Sequence, residues 1–313
     1  MDELYKVERP KTFKAVVGNA EVKSQLLNWT KKGSTPHFLL FVGGSGMGKT
    51  TLARILKTKL KCGNADFQEI NAAGEARGIE TVRTIKSQMN MSPIQGDCRI
   101  YLFDEAHNLT KDAQNAVLKM LEDTPRHVYF IWCTTDPQKL LPTIRTRASV
   151  LTVVPLTPTE MSTLLRRVCD KHDIEMSEDL EEAIVEAAEG SARKALVLLN
   201  QVRDLEDDAA ISTIKKEEVQ KQAIELAKLL MNPRTKWPAV CKLIKDLRQQ
   251  GTDEPEQLRW MMLGYATSCC LSGSKIANRA FVILDQFATN YYDTKWAGLV
   301  ADAFEVVHGR QND

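Results

Sequence analysis

Eight consecutive residues, Gly43-Gly44-Ser45-Gly46-Met47-Gly48-Lys49-Thr50, have the types and spacing that hold phosphate. Glycines let successive backbone N–H groups turn inward onto anionic oxygens, and a helix starting there adds its positive end. Lys49 would neutralise the β- and γ-phosphates of a nucleoside triphosphate, and Thr50 would put its hydroxyl on Mg²⁺. With Thr51, residues 43–51 are the candidate nucleotide-binding set.

A second group is Tyr101-Leu102-Phe103-Asp104-Glu105-Ala106-His107. An apolar strand that ends in two carboxylates gives them different tasks. Asp104 would hold Mg²⁺ through its water shell, and Glu105 would orient and polarise an attacking water. His107 is read as a polar residue at the surface or behind the site, with no chemistry of its own. The third group is Trp132-Cys133-Thr134-Thr135-Asp136, where a hydroxyl at a strand end could reach that water. The fourth is Ile144-Arg145-Thr146-Arg147-Ala148. Two arginines in a turn before a β-branched strand serve either as a salt-bridged surface or as a finger on a neighbouring subunit's γ-phosphate. Spacing does not choose between them.

These groups need a scaffold that brings strand ends together. Apolar runs predict strands at 38–42, 67–70, 99–103, 128–134 and 150–154, and helical spacing predicts helices at 49–60, 79–90, 111–122 and 138–144. Alternating strands and helices make an α/β doubly wound sheet, parallel in its centre, whose ligands sit at the carboxyl ends of strands. Upstream, Pro10 should end any preceding helix, and Ala20 to Lys31 repeats apolar residues at near-helical spacing. Downstream, Thr157-Pro158-Thr159-Glu160 and Ser177-Glu178-Asp179-Leu180 read as helix starts of a small helical lid. The acidic stretch Asp204 to Asp208 reads as a loop. Residues 219–313 read helical, with Pro233, Pro238, Pro255 and Gly273 as breaks. Their Trp260, Met261, Met262, Cys269 and Cys270 read as core at helical spacing.

The 313 residues are 43% hydrophobic and 27% charged, enough for two or three globular domains. No run has the length of a membrane helix, and the first residues lack the basic and apolar regions of a signal peptide. Seven scattered cysteines make no C-x-x-C pair, so neither zinc nor a disulfide framework is expected, and a reducing compartment fits. Net charge is +1 overall, but it divides into +7 over residues 1–155, −8 over 156–218 and +2 over 219–313. A basic module beside an acidic one suits a polyanion bound against the first.

In this order the motifs resemble those of clamp-loader AAA+ ATPases, the small subunits of replication factor C and the bacterial gamma/tau subunit. The resemblance runs from residue 1 to about 205. It is carried by Arg9-Pro10-Lys11-Thr12-Phe13 with Val16-Val17-Gly18, by Asn71-Ala72-Ala73 and Arg77-Gly78-Ile79-Glu80-Thr81-Val82-Arg83, and by Ala113 to Lys119. Thr134 to Leu140 and Gly190 to Leu196 complete it.

The resemblance implies an α/β P-loop AAA+ module with a mainly parallel sheet (1–155), a helical lid (156–218) and an all-helical collar that joins subunits (219–313). It implies that Val16 and Val17 flank adenine, that Thr135 is sensor 1, that Arg193 is sensor 2, and that Arg147 is the finger acting in trans. The family's Ser-Arg-Cys reads Thr146-Arg147-Ala148 here, which leaves Arg145 as a competitor. The bacterial subunit's zinc-binding cysteines are absent.

The helix that starts at Ile79 would face inward in a ring. Its N-terminal N–H groups, with Arg77, Gly78 and Ile79 at its start and Arg83 and Lys86 one and two turns on, would meet DNA phosphates. Lys111, at the start of the next helix, is a further candidate.

The function implied is ATP-dependent loading of a sliding clamp onto primer–template DNA during replication. ATP and Mg²⁺ would be the cofactors. The partners would be the clamp, the DNA and other loader subunits in a homo- or hetero-oligomeric ring, with a pentamer in view. The place would be the cytoplasm or the nucleoid. Two other readings remain: another AAA+ DNA-remodelling motor, or a nucleotide-binding structural subunit that does not hydrolyse.

Overall fold

The computed structural model describes residues 3–74, 77–249, 255–272 and 276–309. In chain order they form α1 (Leu4–Val7), α2 (Ala20–Lys32), β1 (Phe38–Val42), α3 (Lys49–Lys59), β2 (Phe67–Asn71), α4 (Ile79–Gln88), β3 (Arg99–Asp104), α5 (Lys111–Glu122), β4 (Val128–Thr134), α6 (Pro142–Arg147) and β5 (Ser149–Thr152). There follow α7 (Pro158–His172), α8 (Glu178–Ala188), α9 (Ala192–Val202), α10 (Asp207–Met231), α11 (Trp237–Gln249), α12 (Pro255–Leu271), α13 (Ala277–Gln286) and α14 (Lys295–His308). None of these helices is long and apolar enough to cross a membrane.

The sheet order is β2-β3-β4-β1-β5, parallel throughout. Its central strands are buried on both faces, which is why they read as unbroken apolar runs rather than as alternation. Alternate residues still divide between two cores. Leu40, Tyr101, Phe103, Phe130 and Trp132 pack on one side with α4, α5 and α6. Leu39, Phe41, Ile100, Leu102 and Ile131 pack on the other with α2 and α3. The register pairs Val42 with Thr134 and Phe103 with Trp132, so the carboxyl ends of β1, β3 and β4 lie along one edge. That edge is where the chemical groups collect.

Four expectations shift in the structure. The helix expected at 138–144 is split into a 3₁₀ turn at Pro137–Lys139 and the short α6, because Pro142 cannot continue a preceding helix but fits a first turn. Arg145 and Arg147 therefore stand on α6, not in a turn. The strand expected at 150–154 stops at Thr152. There the Asn19 side chain takes over, accepting from Val154 N at 2.9 Å and donating to Val154 O at 3.1 Å. The acidic loop ends at Glu206, and Asp207 and Asp208 open α10, where acidic residues suit the positive helix end.

The lid begins as the sequence indicates. Thr157 accepts from Glu160 N while the Glu160 carboxylate accepts from Thr157 N at 2.9 Å, a capping box with Pro158 in the first turn. Ser177 caps α8 and Ser191 caps α9. Backbone contacts group the described residues into two units, one up to Asp207 and one from Asp208. Residues 156–207 of the expected lid belong to the first unit together with the sheet, residues 208–218 to the second, and residue 218 lies inside α10.

The second unit has its own core, with Leu226, Leu230, Val240, Leu247, Met262, Phe287 and Leu299 fully buried. Pro238 and Pro255 stand in the first turns of α11 and α12. Gly273 lies outside the described residues. Met262 is core, as expected, but Trp260 is 61% exposed and lies over the Arg259 guanidinium.

Candidate active site

The loop between β1 and α3 is shaped by two glycines with positive φ, Gly46 (+73°) and Gly48 (+97°). Gly46 admits no side chain, because a Cβ there would run into Ser191 Oγ of the lid. Lys49 is buried, and its ammonium donates to Gly43 O at 2.8 Å and Gly44 O at 2.7 Å. Burial pushes its pKa below the ordinary lysine value, opposed by the nearby charges of Glu105 and Asp104. Gly44 N donates to the Met47 sulfur at 3.1 Å. Thr50 Oγ1 donates to Asp104 Oδ2 at 3.0 Å.

Thr50 and Asp104 suit Mg²⁺: both offer hard oxygen. That ion needs only one or two protein ligands when phosphates and water supply the rest. The described residues hold no larger cluster of potential metal ligands, and none is required for such a site. A buried ammonium whose hydrogen-bond partners among the described residues are loop carbonyls suits a polyanion, which would give it better ones.

β3 delivers the two carboxylates. Glu105 has a left-handed backbone, φ +50°, which is strained for a residue other than glycine and turns the chain sharply out of the strand. Its N–H donates to Asp104 Oδ1 at 3.1 Å. Thr135 Oγ1, just past β4, donates to Glu105 Oε2 at 3.2 Å. Of the two neighbouring hydroxyls, Thr135 is the one that meets the carboxylate on this side.

The lid closes the other side. Arg193 N donates to Gly46 O at 3.3 Å, and the Arg193 guanidinium lies 5.6 Å from the Tyr5 ring. Val16 and Val17 line the same cleft, with Ser45 to Thr51, Asp104, Glu105 and Arg193. The structure thus brings the nucleotide-binding and catalytic candidates together, except Arg147.

Arg147 points elsewhere, paired with Glu122 at the end of α5 at 2.8 Å, while Arg145 donates to Gln138 Oε1 at 3.3 Å. The DNA candidates gather separately. Thr110 N donates to Arg77 O at 3.1 Å, which sets Lys111 beside the start of α4. No side chain caps α4 at Gly78. Arg83 and Lys86 are both exposed, and Arg83 pairs with Glu80 at 2.6 Å.

Three residues escaped the sequence reading. Tyr5 and Arg167 line the cleft beside the lid, and Glu8 ties the N-terminal segment to the lid through Lys171 and His172, each at 2.8 Å. These contacts join residues too distant in sequence for any spacing rule. His107 was singled out but given no role, and its ring lies 3.4 Å from Glu105 Oε2.

A parallel sheet with a glycine-shaped loop after its interior strand β1, paired carboxylates at the end of β3 and an arginine from the following helices make an α/β fold of the P-loop kind. Solved structures agree on the fold. The Thermotoga maritima RuvB Holliday junction branch migration motor matches with a TM-score of 0.55 at 20% identity, covering 70% of this chain and 80% of that one.

Sequence comparison is narrower. A family model described as DNA polymerase III, delta subunit, matches residues 63–157. DNA polymerase III subunit gamma/tau of Mycobacterium bovis is 33% identical over 222 residues, 64% of this chain and 38% of that protein. DNA polymerase III subunit tau of Escherichia coli is 34% identical over 214 residues, 62% of this chain and 33% of that protein. The chain is thus similar to bacterial DNA polymerase III gamma/tau subunits, and it spans about a third to two fifths of the length of these curated relatives.

Proposed function

We propose that this chain is an ATP-dependent sliding-clamp loader subunit that opens the clamp and loads it onto primer–template DNA during DNA replication. One observation carries the reading. Thr50 is hydrogen-bonded to Asp104 and Thr135 to Glu105 along the carboxyl edge of a parallel sheet, with the buried Lys49 close enough to feel both carboxylates, in a chain that is 33% identical to a gamma/tau subunit over 222 residues.

In this reading the N–H groups of residues 43–51 hold the phosphates, and Lys49 exchanges its two carbonyl partners for phosphate oxygens. Val16 and Val17 flank adenine. Thr50 and Asp104 would hold Mg²⁺, which when bound would supply positive charge to offset that developing on the transferring phosphoryl group. Glu105 orients and polarises the attacking water, and Thr135 fixes that carboxylate from the sensor 1 position. Arg193 reaches the phosphates from the lid as sensor 2. Arg147 acts on the γ-phosphate of a neighbouring subunit.

Residues 1–155 and 156–218 would serve as motor and lid, and 219–313 as the collar of a ring, homo- or hetero-oligomeric, of about five subunits. The start of α4, with Arg77, Gly78, Ile79, Arg83, Lys86 and Lys111, would track DNA phosphates. The work would be done in the cytoplasm, or at the nucleoid or replication sites of the host cell.

Steady-state ATP hydrolysis with and without primer–template DNA and candidate clamps tests the reading. A loader subunit is stimulated by both together. Stimulation by DNA with indifference to any clamp would favour a remodelling motor. ATP binding without hydrolysis under every condition would favour a structural subunit.

A further inference from the structure

We infer that His107 is a positioning residue for Glu105: a neutral imidazole, anchored by Thr134, that presents a lone pair rather than a proton to the carboxylate. The inference rests on the reading of Glu105 as the group that orients water.

The argument begins with a buried hydroxyl. Thr134 is fully buried at the end of β4. Its Oγ1 accepts from Asp136 N at 3.1 Å. The hydroxyl proton needs an acceptor, since a buried donor left unpaired is costly. Among the described residues the one acceptor in contact with Thr134 Oγ1 is His107 Nδ1, at 3.1 Å. Nδ1 therefore carries a lone pair, and the ring's single proton sits on Nε2. The His107 side chain is only 11% exposed, so this arrangement is shielded from bulk water.

The same Nδ1 lies 3.4 Å from Glu105 Oε2. Without a proton between them, a lone pair faces a carboxylate oxygen and the two repel. Two side chains thus meet the same oxygen of Glu105, one attracting it and one repelling it. Thr135 donates to it at 3.2 Å, and His107 keeps it from folding back against the end of the sheet. The carboxylate keeps its remaining acceptor positions open toward the cleft, where a water would have to be held. A side chain that offered a proton at the Nδ1 position would instead occupy the carboxylate.

The tautomer makes the test sharp. An Asn side chain can put its oxygen where Nδ1 stands, whereas a Gln side chain reaches toward the Nε2 position. His107→Asn should hydrolyse ATP at close to the wild-type kcat. His107→Gln and His107→Ala should lose about tenfold in kcat, short of the 10²–10⁴ expected when a general base is removed, with KM for ATP unchanged within about twofold. Thr134→Val should show a similar loss, and adding it to His107→Ala should cost little more, because both changes break one contact.

Circular dichroism and ATP affinity establish that each variant is folded and loaded. Should His107→Ala fail to fold, the comparison of Asn with Gln still decides. Equal kcat for His107→Asn and His107→Gln, or additive losses in the double variant, would overturn the inference while Glu105→Gln remains inactive. Wild-type hydrolysis by Glu105→Gln would instead remove the reading beneath it, and the inference with it.

Discussion

The two units of this molecule are held by different kinds of residue. In the first, function requires particular types at particular places: glycines where the loop turns at positive φ, a lysine buried against carbonyls, carboxylates at the end of a strand. In the second, five helices bury Leu, Val, Ile, Met, Ala and Phe side chains around one core. Many apolar sequences of the same volume would pack that core. Chemistry restricts residue type, whereas packing restricts mainly size and pattern.

An exception among the described residues of the second unit is a buried ion pair. Glu256 and Arg259 are both buried on α12. The carboxylate accepts from Arg259 Nε at 3.0 Å and from Tyr291 N at 2.8 Å, while Arg259 Nη1 donates to Phe287 O at 3.0 Å. This pair ties three parts of the unit together, with a specificity that resembles the first unit more than its own surroundings.

The comparison can be broken at its most demanding point, a residue of the first unit whose role lies outside its own cleft. If Arg147 acts in trans, Arg147→Ala should lower DNA-stimulated hydrolysis by about 10³–10⁵ with ATP binding kept. Mixing that variant with Lys49→Ala should restore part of the rate, since some mixed interfaces keep both groups. Full activity of Arg147→Ala would end the assignment and pass the question to Arg145.

In the second unit the largest effect should come from this buried ion pair. Arg259→Ala leaves a carboxylate buried without its cation and should cost about 3–5 kcal/mol in chemical denaturation at neutral pH. The Arg259 hydrogen bond, first among several influences, holds Glu256 below the ordinary glutamate range. The stability it contributes is therefore present above that range and lost as pH falls through the lower, folded value. The gap between wild type and Arg259→Ala should narrow in acid. A gap constant from neutral to acid pH would show that Glu256 does not depend on this partner. Leu226→Val, which stays apolar and is only slightly smaller, should cost about 1 kcal/mol by the same measurement.

The smallest expected effect concerns DNA. Arg83→Ala with Lys86→Ala should weaken primer–template binding irrespective of sequence and make the log–log salt slope shallower by roughly one to two units per subunit. ATP hydrolysis without DNA should hardly change. An unaltered slope in a folded, ATP-bound double variant would remove α4 from the DNA surface. Arg83 already pairs with Glu80 on this helix, so Glu80→Gln should move binding in the opposite direction.

Much of the first unit was legible because its signals are local. Phe38 to Val42, Arg99 to Phe103 and Val128 to Thr134 are buried on both faces and read as apolar runs. The phosphate loop announces itself by glycines followed by Lys49-Thr50. Thr157-Pro158-Thr159-Glu160 spells its own capping box. What was not legible depends on contacts between distant segments. Nothing near His107 shows that Thr134 will take its Nδ1, and nothing near Arg147 shows that Glu122 will hold it. The end of β5 was misplaced because Asn19 substitutes for a strand partner at Val154. Trp260 was placed in the core by its helical spacing, yet it lies exposed over Arg259, since periodicity gives a face of the helix but not what covers it.

The central claim is that the first unit binds ATP on its loop and hydrolyses it with Glu105. Equilibrium ATP binding and single-turnover hydrolysis, measured side by side for wild type, Lys49→Ala and Glu105→Gln, test it most directly. The account predicts that Lys49→Ala loses binding, and that Glu105→Gln binds like wild type but hydrolyses about 10²–10⁴ times more slowly, because an amide does not polarise water as a carboxylate does. Equal ATP affinity in wild type and Lys49→Ala, or undiminished hydrolysis by Glu105→Gln, would contradict it.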